Sequence, residues 1–435
     1  MKKYENISGL FTAIYSISFL SIAAILNALL SFGTQILLAK NLTPNDLGVF
    51  SAALSSVVIL VPLSGFGLAH FWLKAYGEEK FNSARWLKSS YLLMATTSSL
   101  AMLAIWTWSY FDISGSILQI LSICIIGQAI IEILGAKYQI EGKYGYLSII
   151  SLFQNLLRFL MVCSLLICCK DLFNLTNIAF SYAISAAIII CFSSFELKRF
   201  SKNLSKSYCE TVVNQDDAVK AVAIKTSRLY RKTWPFALAT CFQLIYYQSD
   251  IIMIKLLHSP AEAGYYNVAF VIIAATYILP NTIFQRYLLP KVHHWSKHDA
   301  IKLRQVFRYG VQSMSIIGFI VMVGLNIFST DLILIVFGEQ YHNSIDPLNI
   351  LAFAAPFTYV SYSVGVLLMT ADNIKTKMFY MGLTALFNIV ANLFMIPKYG
   401  ANGAAITTAL SAVLLLFLYF IGVKRNFNGA TWGKR

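Results

Sequence analysis

The sequence predicts an all-α polytopic membrane protein, with 12 transmembrane helices in two pseudo-symmetric six-helix lobes around a central cavity. Of its 435 residues, 58% are hydrophobic and only 12% are charged, whereas a soluble domain carries about 25% charged residues. This polar surface is too small to cover a globule of that size, so lipid must act as the solvent. A motif that recurs half a chain apart and a one-sided distribution of basic residues support the same fold class.

Apolar runs of about 18 residues or more define the predicted spans. They are 11–38, 49–72, 89–110, 116–136, 146–169 and 177–195, followed by 234–254, 265–289, 309–328, 348–369, 379–396 and 401–423. The longest polar stretch joins the two sets of six. We therefore expect an N-terminal lobe over 1–196, a basic cytoplasmic linker over 197–232 and a C-terminal lobe over 233–435.

The basic residues predict the orientation of the chain in the membrane. Of the 34 Lys and Arg, 29 fall on the side that carries both termini. Four fall on the other side, namely Lys40, Lys170, Lys255 and Lys398, and Arg158 lies inside a span. Because basic residues near span ends stay in the cytoplasm, both termini should be cytoplasmic in a multi-pass protein. The net charge of +15 then indicates contact with anionic membrane lipids rather than nucleic acid.

A seven-residue phrase occurs twice in the chain, at 44–50 (PNDLGVF) and at 260–266 (PAEAGYY), with an offset of 216 residues. Each copy follows one apolar span and opens the next. Internal repeats of membrane proteins are typical of transporters, whose binding site lies between the repeats. The repeat therefore predicts two related bundles and a site between them.

Polar residues inside the spans repeat with the same offset. Four residues of span seven share one helical face: Thr240, Gln243, Tyr247 and Asp250. Subtracting 216 gives Ala24, Asn27, Ser31 and Thr34 in span one. We expect Asn27, Ser31, Thr240, Gln243 and Tyr247 to line a hydrated cavity and bind substrate. The alternative is hydrogen bonding between helices without a ligand.

Arg158 is the only cation near the middle of the predicted membrane, one turn after Gln154 in span five. Its planar fork of donors suits a phosphate group, and Gln154 is a further candidate ligand. The alternative is a structural ion pair with Asp250 or Glu132. In span eight, Asn281, Gln285 and Arg286 are additional substrate-binding candidates, although Arg286 could simply reach the membrane interface.

Asp250 and Glu132 are the candidates for ion coupling, because charged groups inside a membrane are costly and mark proton or cation pathways. Glu132 lies near the cytoplasmic end of its span, so an interfacial position is its alternative. His293, His294 and His298 indicate a solvated basic loop, and no metal site is expected. The sequence contains no nucleotide-binding loop and no nucleophile–base pattern, which argues against an enzyme and against a bound cofactor.

Four stretches, in this order and spacing, carry a resemblance to a known family. They are Ala39–Pro44 with Gly48; Asp250 followed by Gly264–Tyr266; Leu289–Lys291; and Asn388 and Asn392 followed by Ile396–Gly400 and Gly403–Ala405. They resemble the polysaccharide flippases of the multidrug/oligosaccharidyl-lipid/polysaccharide exporter superfamily, specifically the O-antigen (Wzx-type) translocases. The similarity covers nearly the whole chain.

The resemblance implies alternating access and a substrate of undecaprenyl-pyrophosphate-linked oligosaccharide, moved across the inner membrane from its cytoplasmic leaflet. It further implies energy from the membrane potential or from H⁺ or Na⁺, and other polysaccharide-assembly proteins as partners. A multidrug exporter of the same superfamily is one alternative. A membrane polysaccharide polymerase, an enzyme, is the other, but the short outer loops count against it.

Overall fold

The computed structural model describes residues 2–112, 114–168, 170–213, 225–289, 292, 295, 299–369 and 374–427. For 2–21, 144, 207–213, 285–287, 300, 374 and 426–427 it describes the backbone only. The part of the chain so described is helical and has no β-strand.

The first half of the chain forms eight α-helices in sequence order. They are α1 (Lys2–Asn41), α2 (Pro44–Gly65), α3 (Leu68–Glu79), α4 (Leu87–Ser109), α5 (Gly115–Leu121), α6 (Ile123–Ile140), α7 (Tyr144–Cys168) and α8 (Leu175–Val213). Short 3₁₀ helices occupy Lys80–Trp86 and Lys170–Leu172.

The described part of the second half continues with seven α-helices. They are α9 (Thr226–Leu257), α10 (Pro260–Thr276), α11 (Ile278–Asn281), α12 (Ala300–Val336), α13 (Ile345–Ala352), α14 (Ala355–Leu367) and α15 (Ile374–Phe427). A π-helix covers Thr282–Leu288, and a 3₁₀ helix covers Glu339–Ser344.

The protein is a multi-pass membrane protein. Among the described residues, 8 helical segments are long and apolar enough to cross a membrane, or up to 10 if each of two bent helix pairs is one span. Large apolar side chains such as Leu103, Phe319 and Phe394 are exposed, as expected where lipid is the neighbour. The all-helical fold class is thus confirmed, whereas the count of 12 spans stays a prediction, since Pro44–Ser109 and Lys375–Arg425 each count as one segment.

The chain forms two compact units. Unit 1 consists of the described residues of Met1–Ser31 and Ser56–Cys241, and unit 2 of those of Phe32–Ser55 and Phe242–Arg435. The C-terminal end of α1 and the N-terminal part of α2 therefore belong to the same unit as most of the C-terminal half. Within unit 2, Gln340 Nε2 donates to the carbonyl of Ala39 at 2.8 Å, and the Tyr341 hydroxyl donates to the carbonyl of Leu42 at 3.3 Å. These bonds satisfy carbonyls at the C-terminal end of α1 that have no partner within the helix.

The repeated phrase marks two helix starts in unit 2. The Thr43 hydroxyl accepts from the backbone N–H of Asp46 at 3.2 Å, and the Ser259 hydroxyl accepts from that of Glu262 at 3.3 Å. In each copy proline follows the capping residue, where its fixed φ suits the first turn and its missing N–H is not needed. The repeat thus encodes the N-terminus of α2 and that of α10.

The glycine of each copy lies against the backbone of the other copy. A Cβ atom added to Gly48 would lie 1.7 Å from the carbonyl oxygen of Pro260, and one added to Gly264 would lie 2.1 Å from that of Pro44. The first turns of α2 and α10 therefore cross at backbone contact, which only glycine permits. The two copies of the repeat are direct and reciprocal packing partners.

Two spans are bent close to prolines. The axis turns by 42° between α10 and Ile278–Phe284, before Pro280, and by 47° between Glu339–Ala352 and α14, before Pro356. Pro280 has no N–H to offer to the carbonyl of Thr276 four residues earlier. The Tyr359 hydroxyl donates to this oxygen instead, at 2.7 Å. The first bend is thus held in place by a side chain of α14.

A buried cation connects helices of unit 1. The Lys137 ammonium, only 5% exposed, lies 2.5 Å from a carboxylate oxygen of Glu196 and 3.8 Å from one of Glu141. Glu141 also pairs with Lys143 at 2.8 Å, an exposed lysine outside the spans whose pKa is raised by its hydrogen bond to Glu141 and by that negative charge. These contacts fasten α6 to α8 at one end of the unit.

Candidate functional sites

Arg158 of α7 forms no ion pair with the described residues. Its guanidinium lies over the ring of Tyr182, with 4.9 Å between the guanidinium carbon and the ring centroid. No carboxylate of the described residues lies within 4.0 Å of it. Its Nε is buried and has no hydrogen-bond partner among them. Within unit 1, the alternative of a structural ion pair with Glu132 is therefore not what the structure shows.

Gln154, one helical turn before Arg158, is 6% exposed, and its Nε2 also has no acceptor in the described part of the protein. A buried donor without an acceptor costs about 1–3 kcal/mol. Two such donors, one on a cation, are four residues apart on one helical face. The pair is suited to an anion with several oxygens, as the sequence predicts for these two residues.

Asn27 has a structural partner. Its Oδ1 accepts from Asn155 Nδ2 at 2.9 Å, which joins α1 to α7 within unit 1. For this member of the predicted stripe, hydrogen bonding between helices is thus what the structure shows. Ser31, one turn further along, is exposed. Glu132 of α6 lies beside Gly65, 3.7 Å from the position of an added Cβ, where α2 ends.

Asp250 is the centre of a polar cluster in unit 2. It is 1% exposed, and its carboxylate accepts from the Tyr266 hydroxyl at 2.6 Å, from Asn392 Nδ2 at 2.7 Å and from the Thr408 hydroxyl. Helices α9, α10 and α15 supply these groups. All three groups donate, so both carboxylate oxygens have hydrogen-bond partners although they are buried.

A further layer of oxygen atoms surrounds this carboxylate. Asn392 Oδ1 accepts from the Thr407 hydroxyl, and Asn392 Nδ2 also lies 3.2 Å from Asn388 Oδ1. The Ser249 hydroxyl donates to the same Asn388 oxygen at 3.4 Å. Carboxylate, amide and hydroxyl oxygens are the ligands that hard cations prefer. The sequence names Asp250 and Glu132 as candidates for ion coupling, and the structure adds two asparagines and two threonines of α15 around Asp250.

Gln243 and Tyr247 face a different place from Asp250. They line a cavity in unit 2 together with Ser361, Tyr362, Lys377 and Tyr419, which has about 500 Å³ of empty space including a part open to solvent. The Thr240 hydroxyl instead donates to the carbonyl of Phe236 in its own helix at 3.1 Å. The predicted stripe on α9 therefore divides into a buried polar cluster around Asp250, a cavity wall and one threonine that bonds to its own helix.

The candidates of span eight are only partly described. Asn281 is half-buried in α11 beside Pro280. The side chains of Gln285 and Arg286 lie outside the described residues, as do His293, His294 and His298. The backbone around Gln285 forms the π-helix, a rare conformation that frequently occurs at functional sites. In the described part of the chain, no three His, Cys, Asp or Glu side chains are grouped as metal ligands.

The fold is similar to those of solved membrane transport proteins. The structure of the lipid II flippase MurJ in an inward closed conformation matches 93% of this chain and 87% of its own, with a TM-score of 0.68 and 17% identity. An inward-facing multidrug resistance MATE family transporter of the MOP superfamily matches 92% of this chain and 94% of its own, with a TM-score of 0.67 and 12% identity. At such identities these likenesses establish the fold alone.

The sequence comparison assigns the family. Residues 14–293 match the family described as "Polysaccharide biosynthesis protein", and the chain belongs to that family. The family-level resemblance inferred from the four stretches of sequence is thereby confirmed.

Curated relatives share shorter stretches with the chain. Over 184 residues it is 26% identical to the lipopolysaccharide biosynthesis protein WzxC of Escherichia coli K12, a match that covers 40% of this chain and 36% of WzxC. Over 190 residues it is 22% identical to the probable low-salt glycan biosynthesis flippase Agl15 of Haloferax volcanii, which covers 42% of this chain and 40% of Agl15. A membrane protein of Methanocaldococcus jannaschii, MJ1068, is 36% identical over 124 residues, with 27% and 23% covered. The matches thus span at most two fifths of the length of these relatives.

Proposed function

We propose that this protein is a flippase that moves an undecaprenyl-pyrophosphate-linked oligosaccharide, such as an O-antigen or capsule repeat unit, across the inner membrane by alternating access. The relatives whose names refer to glycan or lipopolysaccharide biosynthesis, and the structural likeness to MurJ, support this substrate class. The observation that carries the proposal is the pair Gln154 and Arg158, whose buried donors have no acceptor in the described part of the protein.

In this proposal Arg158 and Gln154 bind the pyrophosphate. A guanidinium can hold two phosphate oxygens at once, and the neighbouring amide can donate to a third. The cation–π contact with Tyr182 fixes the plane of the guanidinium without using its charge in an ion pair. The lipid tail remains in the bilayer. The protein itself is a transporter and performs no bond chemistry.

The test uses a strain that lacks the gene. Accumulation of lipid-linked repeat units, reversed by the intact gene, is the expected result. Arg158→Ala should abolish surface polysaccharide while the protein level stays unchanged. Arg158→Lys should restore only part of the polysaccharide, because lysine keeps the charge but lacks the planar pair of donors of the guanidinium. Leu160→Ala, on an exposed position of the same helix, is the matched control. Normal polysaccharide in the Arg158→Ala strain contradicts the phosphate role, and drug sensitivity without lipid accumulation favours a multidrug exporter.

We further propose that the Asp250 cluster couples transport to H⁺ or Na⁺, and that Glu132 is a secondary candidate. One charge that crosses 100 mV contributes about 2.3 kcal/mol, which is enough to bias an equilibrium between two conformations. Bound Na⁺ would require the hydroxyls of Tyr266 and Thr408 to turn their hydrogens away from the carboxylate. If Asp250 is protonated, at least one of these donors must likewise turn its hydrogen away from the carboxyl group.

Asp250→Asn tests this coupling, because the amide has the same shape but neither charge nor titratable proton. Transport by the variant should lose its dependence on pH and on Na⁺. Asp331→Asn is the control, since Asp331 is an exposed carboxylate of α12. If the Asp250→Asn protein keeps the pH and Na⁺ dependence of the original, the cluster is structural.

The basic residues support an orientation with both termini in the cytoplasm. Reporter fusions test it: a fluorescent protein joined after residue 427 should fold and fluoresce, whereas alkaline phosphatase at the same position should be inactive. Active phosphatase at this position would reverse the proposed topology.

A further inference from the structure

Lys377 is a cation that the charge distribution assigns to the cytoplasmic membrane surface, yet its side chain faces a cavity within unit 2. It lies in the first turn of α15, is half-buried and lines the cavity together with Gln243. No carboxylate of the described residues lies within 4.0 Å of its ammonium. Lys375, two residues earlier on the same helix, is exposed. The position of Lys377 is therefore distinct from that of an ordinary surface lysine.

Tyrosines form part of the wall of this cavity. Tyr246, Tyr247, Tyr362 and Tyr419 line the same cavity, and the hydroxyls of Tyr247 and Tyr362 are hydrogen-bonded to each other. The Tyr246 and Tyr247 ring centroids are 4.9 Å apart. A tyrosine offers an apolar face together with a polar tip, a combination that suits a sugar ring with its C–H face and its hydroxyls.

The cavity also holds unused hydrogen-bonding capacity. The Ser361 hydroxyl is buried and has no partner among the described residues, and the exposed amide of Gln243 offers both donors and an acceptor. The fit of Tyr419 is specific, because a Cβ on Gly365 would lie 2.9 Å from its ring. A mostly apolar pocket with a few convergent polar groups is the usual form of a small-ligand site.

We infer that this cavity is a second ligand site, separate from Gln154 and Arg158, that binds a saccharide carrying a negatively charged group. Lys377 is the counter-ion, the tyrosine rings contact the sugar, and Gln243 and Ser361 bind its hydroxyls. The negative group is either a carboxylate on the glycan or the phosphate next to its first sugar. Only the assignment of this ligand as part of the transported substrate rests on the proposed function; the site itself does not.

Binding to the purified full-length protein in lipid nanodiscs tests the inference. Three probes are measured by calorimetry: cellobiose, the same disaccharide with one terminal uronate, and a short-chain prenyl diphosphate carrying N-acetylglucosamine. Lys377→Gln should weaken at least one anionic probe about tenfold or more and remove the salt dependence of its binding. It should leave cellobiose unchanged. The probe that weakens identifies the source of the negative group.

Lys375→Gln is the matched control and should bind all probes like the original protein. Lys377→Arg keeps the charge and should restore most of the affinity, which separates a direct contact from a folding defect. Equal affinities of Lys377→Gln and Lys375→Gln for both anionic probes overturn the inference. The inference is also overturned if Lys377→Gln loses as much affinity for cellobiose as for the anionic probes, or if the original protein binds none of the probes.

The two proposals fail separately. If Lys377→Gln binds the anionic probes normally while Arg158→Ala blocks surface polysaccharide, the proposed flippase function is supported and the second site is refuted. If the intact gene fails to rescue the null strain but the anionic probe still depends on Lys377, the second site stands and the transported substrate is a different one.

Discussion

Gly48→Ala tests the reciprocal crossing of the two repeat copies. The new methyl group would lie 1.7 Å from the Pro260 carbonyl oxygen and 2.8 Å from the Gly264 nitrogen, both of which are backbone atoms. It must reach at least 3.4 Å for an ordinary contact, so the crossing has to open by about 1.7 Å. Overpacking of this kind costs about 1–3 kcal/mol and occasionally more. We expect the free energy of unfolding to fall by that amount.

Gly324→Ala is the matched control, because Gly324 lies in α12 and an added Cβ would meet no atom within 4 Å. In an open helix position alanine is more stable than glycine by up to about 1 kcal/mol. The two variants should therefore differ by about 1–4 kcal/mol in unfolding by sodium dodecyl sulfate, followed by tryptophan fluorescence. If Gly48→Ala is as stable as Gly324→Ala, the crossing tolerates a side chain and the reasoning is wrong.

The reciprocal geometry also predicts how two substitutions combine. Gly264→Ala alone should destabilise for the same reason, since its methyl group would lie 2.1 Å from the Pro44 carbonyl oxygen. Once one methyl group has moved the two backbones apart, the second methyl group needs less additional separation. The double variant should thus lose less than the sum of the single losses, as residues in contact do. If the two losses in free energy of unfolding are strictly additive, the two glycines do not share one packing contact.

Three further variants have expected losses in the same unfolding assay. Gly400→Ala should cost about 1–3 kcal/mol, because φ +53° with ψ −130° is a conformation that side chains other than glycine rarely adopt, and no loss would contradict that strain. Lys137→Met should cost about 3 kcal/mol because Glu196 loses its buried partner, and adding Glu196→Gln should recover part of it. Tyr359→Phe should cost about 1 kcal/mol, since the freed carbonyl of Thr276 loses its donor, and an unchanged protein would show that water replaces it.

The sequence predicts the helices and the two places where a repeat copy opens a span, because each of these depends on local chemistry. Apolar runs of sufficient length must lie in lipid, and a capping residue followed by proline begins a helix whatever packs on it later. The 216-residue offset shows that 44–50 and 260–266 are equivalent. It does not show that they touch, because contact between distant segments depends on packing that periodicity does not encode.

The site was predictable only in part for the same reason. Helical spacing places Gln243, Tyr247 and Asp250 on one face, but the buried cluster of Asp250 is completed by residues of α15. Lys377 was not found because it precedes an apolar run, where a lysine usually marks the membrane surface. The signal that could have drawn attention to it is the number of tyrosines, 24 in the whole chain, several of which share its cavity.

The crossing of α2 and α10 has a consequence for biosynthesis. The ribosome completes Gly264 216 residues after Gly48, a delay of about 10–40 s at typical bacterial and eukaryotic elongation rates. Throughout that interval the first turn of α2 is made and inserted, yet the backbone against which its glycine packs has not been synthesised. The C-terminal end of α1 and the N-terminal end of α2 must therefore remain in the membrane without this packing partner. A substitution at Gly48 would be silent during early insertion and would first be felt when α10 arrives.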